Sequence, residues 1–235
     1  MKYLNFIIFA LFVSICCTKK TENKTSNKNL KIAKNNTELE EEYIDSLKIG
    51  VSGYYKIDFK KFRSNDSVYV DIKFYEKNNS KWNLKQNFHF LKDGVLNCNV
   101  EFKDFNNDKL NDFTFQSSIA GRGANIIRKL FIFDKKTGKL IFIRNSEDFP
   151  NLRYNKELDC VDAFRVYGGT QSAFAKIEKD SLREFANVEL FEERIIINTI
   201  DKNGKEKNIK NEKFEEGCFI RFKNYSPLKE YEGEY

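Results

Sequence analysis

The chain has 235 residues, with 41 Lys and Arg against 35 Asp and Glu, a net charge of +6 and 40% apolar residues. Charges of both signs are interspersed, which excludes the concentrated basic face that nucleic-acid binding needs. The 5 cysteines form no C-x-x-C or Cys/His cluster, which excludes an ordinary zinc site.

Lys2 precedes an apolar stretch, Leu4 to Ile15, that is too short to span a bilayer as a helix. Cys16-Cys17-Thr-Lys-Lys follows. A cysteine closing a short apolar run before polar residues resembles a bacterial lipoprotein signal. Cys17 is then the acylated residue, residues 1–16 the signal peptide, and attachment to the membrane is through lipid. An uncleaved signal anchor is the alternative. Residues 17–36 are Lys, Asn, Thr and Ser with almost no apolar side chain, which predicts a disordered, lipidated tether. Export also implies a compartment where disulfides form. Cys98, Cys160 and Cys218 allow one bridge at most, and their spacing does not select it.

Residues 37–235 are expected to form a single domain with its own core. Thr37-Glu-Leu-Glu40 fits a capping box, and Leu39, Tyr43, Ile44 and Leu47 share one helical face, so a short helix is predicted up to Gly50. After it the chain reads as mainly β. The abundance of Phe and Tyr and the scarcity of Pro suit strands. Val68, Val70, Ile72 and Phe74 alternate with Tyr69, Asp71, Lys73 and Tyr75, a half-buried strand. Phe88 and Phe90 continue the pattern, and Val95 to Phe102 is read as its return after an Asp93-Gly94 turn. His89, the only histidine, falls opposite Phe88 and Phe90, on the solvent side. Cys98 shares parity with Leu96, Val100 and Phe102 and reads as a buried apolar residue.

Leu130 to Phe133 and Leu140 to Ile143 flank a Gly-containing loop and read as a hairpin of central strands. Val161 to Val166 is a further strand. Ile195 to Ile197 enters a hairpin at Asn203-Gly204, and Gly217 to Phe222 is the last strand. The expected architecture is an antiparallel meander building a sandwich or a propeller-like assembly of sheets.

The most specific stretch is Asp104-Phe-Asn-Asn-Asp-Lys-Leu-Asn-Asp112, which reads D-x-N-x-D-x-x-x-D. Asp104, Asn106, Asp108 and Asp112 put oxygen donors at loop positions 1, 3, 5 and 9, with the Leu110 carbonyl at position 7, a pattern that suits Ca²⁺. The flanks alternate as strands, so the loop is not an EF-hand. Phe115 stands where a bidentate Glu closes an EF-hand loop, and Lys109 where Gly makes the sharp turn. The same residues also suit an ordinary Asn/Asp turn.

Two Gly-rich stretches, Ser117 to Asn125 and Tyr167 to Ser172, suit recognition, with Arg122, Asn125 and Tyr167 as contact residues. Their glycines equally suit positive φ in long connections. The sequence holds no partnered nucleophile, G-x-S-x-G, H-E-x-x-H or phosphate-binding glycine loop, so no catalytic residue is assigned.

The order V-E-F-K-D-F-N-N-D-K-L-N-D-F-T-F, G-R-G-A-N, K-L-F-I-F-D-K-K-T-G-K-L, F-P-N-L-R-Y-N and V-Y-G-G, from Val100 to about Tyr167, resembles exported bacterial proteins related to Ca²⁺-binding lysozyme-inhibitor immunity proteins. The acidic loop is also similar to those of FG-GAP and VCBS-type propeller blades. The resemblance implies a non-enzymatic outer-membrane lipoprotein, periplasmic or surface-facing. It would bind and inhibit a peptidoglycan hydrolase or engage another cell-envelope protein. Ca²⁺ on Asp104, Asn106, Asp108, Leu110 and Asp112 would preorganise the neighbouring recognition loops. The alternative is a Ca²⁺-dependent module for a glycan or cell-surface protein, without inhibition, for which outward aromatics such as Tyr69 and Tyr75 are suited.

Overall fold

The computed structural model describes residues 37–215, 219–226 and 231–232. The expected signal peptide and tether, with Cys17, lie outside the described residues, as do Cys218 and the first residues of the expected last strand. Among the described residues, sixteen strands run in chain order: β1 Glu38–Asp45, β2 Tyr55–Arg63, β3 Val68–Asn78, β4 Lys81–Leu91, β5 Glu101–Lys103, β6 Asp112–Ala120, β7 Asn125–Asp134, β8 Lys139–Ile143, β9 Arg153–Asn155, β10 Cys160–Val166, β11 Thr170–Glu178, β12 Ser181–Phe191, β13 Arg194–Ile200, β14 Glu206–Lys213, β15 Arg221–Phe222 and β16 Tyr231–Glu232. Among the described residues the helical segments are 3₁₀ turns at Gly121–Gly123 and Ser146–Asp148, and no helix is long and apolar enough to cross a membrane.

Strands β1 to β4, β5 to β8 and β9 to β14 form successive antiparallel meanders in which every strand pairs with its neighbour in sequence. The sheets stack. Ile57, Phe59, Val70, Ile72 and Phe74 of the first pack on Phe113, Phe115, Phe131 and Phe133 of the second. The second sheet's opposite face, through Leu130, Ile132 and Ile143, meets Val161, Ala163, Ala173 and Ala175 of the third. The third sheet's far face, through Phe174, Val188 and Ile197, is covered by Ile220 and Phe222. The expected antiparallel meander in stacked sheets is therefore present. All three described core clusters lie within the compact unit Asn35–Tyr235.

The stacking accounts for the sequence pattern. The middle sheet is covered on both faces, so β6 and β7 lose polar alternation and bury consecutive residues such as Leu130 to Phe133. The β7–β8 and β13–β14 hairpins form as expected, although only β7 is central and β8 lies at the sheet's edge.

Two expectations are corrected. Residues 37–50 are not a helix, because Glu38–Asp45 is an edge strand paired with β2. Its carboxylates meet a basic partner. Glu42 lies 3.0 Å from Lys60, and Glu40 and Glu41 lie 3.0 and 2.9 Å from the buried Lys61. Tyr43 packs against Phe102 with ring centres 5.8 Å apart. Long-range pairing overrides local helix propensity here. Gly50, rather than capping a helix, adopts φ +54° and bridges to Asn111. Residues 95–102 are not the return of a hairpin with β4. They cross to the next sheet, where only Glu101–Lys103 forms a strand, because Asn99 adopts φ +41° and breaks the run. The Leu96 carbonyl on this crossover accepts from Lys61 at 3.0 Å and Lys92 at 2.7 Å. Cys98 and Cys160 are buried free thiols, and His89 is exposed beside Asp71, as its parity required.

Candidate functional site

The β5–β6 loop turns its carboxylates inward onto its own backbone. Asp104 accepts the N–H of Asp108 at 3.2 Å and of Lys109 at 2.8 Å. Asn106 Oδ1 accepts Asp108 N–H at 3.2 Å, and Asp108 Oδ1 accepts Leu110 N–H at 2.9 Å. Lys109, at the position that normally requires Gly, adopts φ +69°, and Asn107 adopts φ +60°. The backbone thus makes the left-handed turn without glycine, at a cost of about 1 kcal/mol or more.

Asp112 has a different role. It is fully buried and accepts Phe105 N–H on Oδ2 and Phe133 N–H on Oδ1, each at 2.8 Å. It therefore staples the loop's first turn to β7. Burial pushes its carboxyl up to about 8, against the pull of those two N–H groups, and the negative charges of Asp108 and Asp104 push the same way. Among the described residues, no three His, Cys, Asp or Glu side chains gather into a metal-holding group. The oxygen donors facing the loop interior are those of Asp104, Asn106 and Asp108. This hard, all-oxygen set fits the chemistry of Ca²⁺. The Leu110 carbonyl follows at the next alternate position, and Leu110's side chain packs on the first core. Phe115 is fully buried in that core and leaves no room for a closing Glu.

The loop is tied into the fold at other points. Asn111 Nδ2 donates to Lys48 O at 3.0 Å, and Asn107 Nδ2 donates to Asp159 at 3.3 Å. Asp159 also accepts from the Tyr154 hydroxyl at 2.6 Å, which holds its carboxyl below the ordinary range.

The Gly-rich loops lie at the other end of the sheets. Strand β6 has nine residues between Asp112 and Ala120, so roughly 30 Å of strand separates the acidic loop from the Gly121–Gly123 turn. The expectation that the acidic loop preorganises adjacent recognition loops is therefore not supported by this geometry. The two Gly-rich loops do lie together. Asn125 Nδ2 donates to Val166 O at 2.7 Å and its Oδ1 accepts Val166 N–H at 2.9 Å. That uses both ends of the amide and makes Asn125 a clamp between loops, where the sequence suggested a contact residue. Asn151 adds a second clamp, donating to Ala124 O and Phe164 O, each at 2.8 Å, and accepting Ile126 N–H at 3.1 Å. Gly169 is required by space, because a Cβ there would lie 2.2 Å from Leu190 O.

What these clamps present is exposed. Arg122 stands at the turn's tip with φ +55°, and Tyr167 is 49% exposed with its hydroxyl donating to Glu189. Ile119 and Ile126 are cross-strand partners, each 38% exposed, and Phe191 is exposed to the same extent. Asn151 and Phe191 were not singled out from the sequence. The Pro-Asn step at 150–151 hinted at a turn, and nothing marked Phe191.

No protein-family model matches the chain, and no curated protein does. Among solved structures, a Xanthomonas type IV secretion system related protein is similar at 13% identity and a TM-score of 0.46, over 75% of this chain and 97% of that one. A likeness this remote carries no functional information, and these comparisons do not show the lysozyme-inhibitor relation.

Proposed function

We propose that this chain is a non-enzymatic, lipid-anchored Ca²⁺-binding protein of the cell envelope that docks onto a peptidoglycan hydrolase and blocks it. The observation that supports it is the β5–β6 loop, where Asp104, Asn106 and Asp108 turn their oxygens inward around left-handed turns at Asn107 and Lys109. Bound Ca²⁺ would supply the positive charge that this cluster of acids lacks and would brace a loop of the second sheet that Asn111 ties to Lys48 and Gly50. Docking is assigned to the far end. Arg122 and Tyr167 stand there on loops locked by Asn125 and Asn151, and an aromatic or Arg anchor held by a rigid support loses little entropy on binding. The anchoring lipid belongs to Cys17.

The test is a panel of purified peptidoglycan hydrolases assayed for turnover with residues 37–235 added, in Ca²⁺ and in EGTA. Inhibition of at least one enzyme, weakened by Tyr167→Ala, is expected. No inhibition and no binding across the panel would contradict the reading.

One observation favours a second reading, a glycan-binding module. On the outward face of the first sheet, Phe62 and Tyr69 stack at 5.4 Å, and Lys56 lies 4.3 Å from the Tyr75 ring and 5.2 Å from the Trp82 ring. Such rings suit stacking on sugars. A glycan array separates the two readings, since a reproducible sugar lost in Trp82→Ala favours the module.

A further inference from the structure

A groove of about 510 Å³ opens between the β5–β6 loop, the β7–β8 turn and the β11–β12 turn, at the end opposite the docking loops. Its size is that of a small-molecule site. The floor is apolar, formed by Ile132, Ile141 and Ile177 at the margin of the second core. Three lysines, Lys135, Lys136 and Lys179, stand on the rim.

The local carboxylates are already engaged. Asp134 accepts Lys136 N–H at 3.1 Å and the Thr137 hydroxyl at 2.6 Å within its own turn. Asp108 accepts Leu110 N–H at 2.9 Å and Asn106 Nδ2 at 3.2 Å. Asp180 and Glu178, the acids beside Lys179, are taken by Arg144 and Arg183 at 2.8 and 2.7 Å. Among the described residues, none of the three rim ammonium groups enters an ion pair. Lys179 also adopts φ +57° in a two-residue turn, where Gly or Asn is favoured.

We propose that this groove binds a small amphipathic carboxylate. Its chain would cover Ile132, Ile141 and Ile177, and its acid head would rest among Lys135, Lys136 and Lys179. An apolar floor alone would accept any greasy molecule. The three lysines favour an anionic head: with Asp180 and Glu178 paired to arginines, they face the two lining carboxylates Asp108 and Asp134, which leaves the lining one charge positive without any metal. The inference goes beyond the inhibitor reading and does not depend on it.

The probe is decanoate, titrated calorimetrically into residues 37–235 in EGTA, with decyl maltoside as a neutral head of equal chain length and glutarate as a head without a long chain. The expected result is saturable one-to-one decanoate binding, weakened about tenfold or more in the K135Q/K136Q/K179Q variant, with no binding of the maltoside or glutarate at the same concentration. The substitutions are at exposed turn positions, so an unchanged circular dichroism spectrum is expected. Absence of decanoate binding, equal binding by the triple variant, equal binding of the maltoside, or binding that appears only with Ca²⁺ would each overturn the proposal. The last outcome would place the acid on the loop cation rather than on the lysines.

Discussion

Asn125→Ala separates a clamp from a contact. The wild-type side chain holds both backbone groups of Val166, at 2.7 and 2.9 Å, across 41 residues of sequence. Alanine removes an acceptor from one N–H and a donor from one C=O. Each such bond contributes about 1 kcal/mol net, and more where water cannot replace the lost partner. Asn125 is half-buried, so the lower end of that range applies and the loss should be about 2 kcal/mol. For a domain of this size that lowers the melting temperature by about 4–8 °C. Thermal and urea unfolding of residues 37–235 measure it, with Tyr167→Ala as the comparison. Tyr167 is 49% exposed, and its substitution should cost less than about 1 kcal/mol while weakening partner binding more than Asn125→Ala does. An Asn125→Ala variant of unchanged stability that nevertheless loses the partner would refute the clamp and return Asn125 to the contact surface.

Phe131→Ala should cost about 3–5 kcal/mol in urea unfolding, since the fully buried ring meets Phe88, Phe142 and Phe113 at centre distances of 5.0, 5.1 and 5.4 Å. A loss below about 1 kcal/mol would mean that the aromatic core repacks freely. Gly169→Ala should lower the denaturant midpoint by the equivalent of about 1–3 kcal/mol, because its Cβ would lie 2.2 Å from a backbone carbonyl that cannot swing away. Tyr154→Phe should raise the Asp159 carboxyl toward its ordinary 3.8, as the hydroxyl is the main cause of its lowering. For a lowered carboxylate the stabilising contribution is present above the ordinary value and is lost as pH falls through the folded value. NMR titration of the Asp159 carboxyl below pH 5 reads the change directly, and an unmoved midpoint would exclude the hydroxyl as the cause.

How much of this was legible in the residues depended on how local the physics was. Alternation at Val68 to Tyr75 announced β3 because one face of the first sheet is wet, and the turns at Lys135 to Gly138 and Asn203-Gly204 announced their hairpins through turn chemistry. The stretch from Thr37 misled because its helical spacing is a local signal, while the decisive partners, Lys60, Lys61 and Arg63, lie some twenty residues away. The alternation of Glu-rich and Lys-rich segments was the clue to that pairing. The acidic loop was readable as a turn with inward oxygens, but the stapling role of Asp112 depends on Phe133, on a strand reached only through the fold. Arg122 and Tyr167 were found as exposed loop residues. The clamping of Asn125 was not, since an amide that holds backbone looks the same in sequence as one that meets a partner. The two ends of the molecule also had no sequence signature, because the acidic and Gly-rich loops are close in sequence and far apart along β6.

The central claim is tested most directly by calorimetric titration of Ca²⁺ into chelator-stripped residues 37–235, with Asp108→Ala as control. Uptake of about one ion by the wild type, none by the variant, and an unchanged fold in both is the predicted result. A folded wild type that takes up no Ca²⁺ at millimolar concentration would contradict the account and leave Asp104 to Asp112 as a turn held only by its own hydrogen bonds.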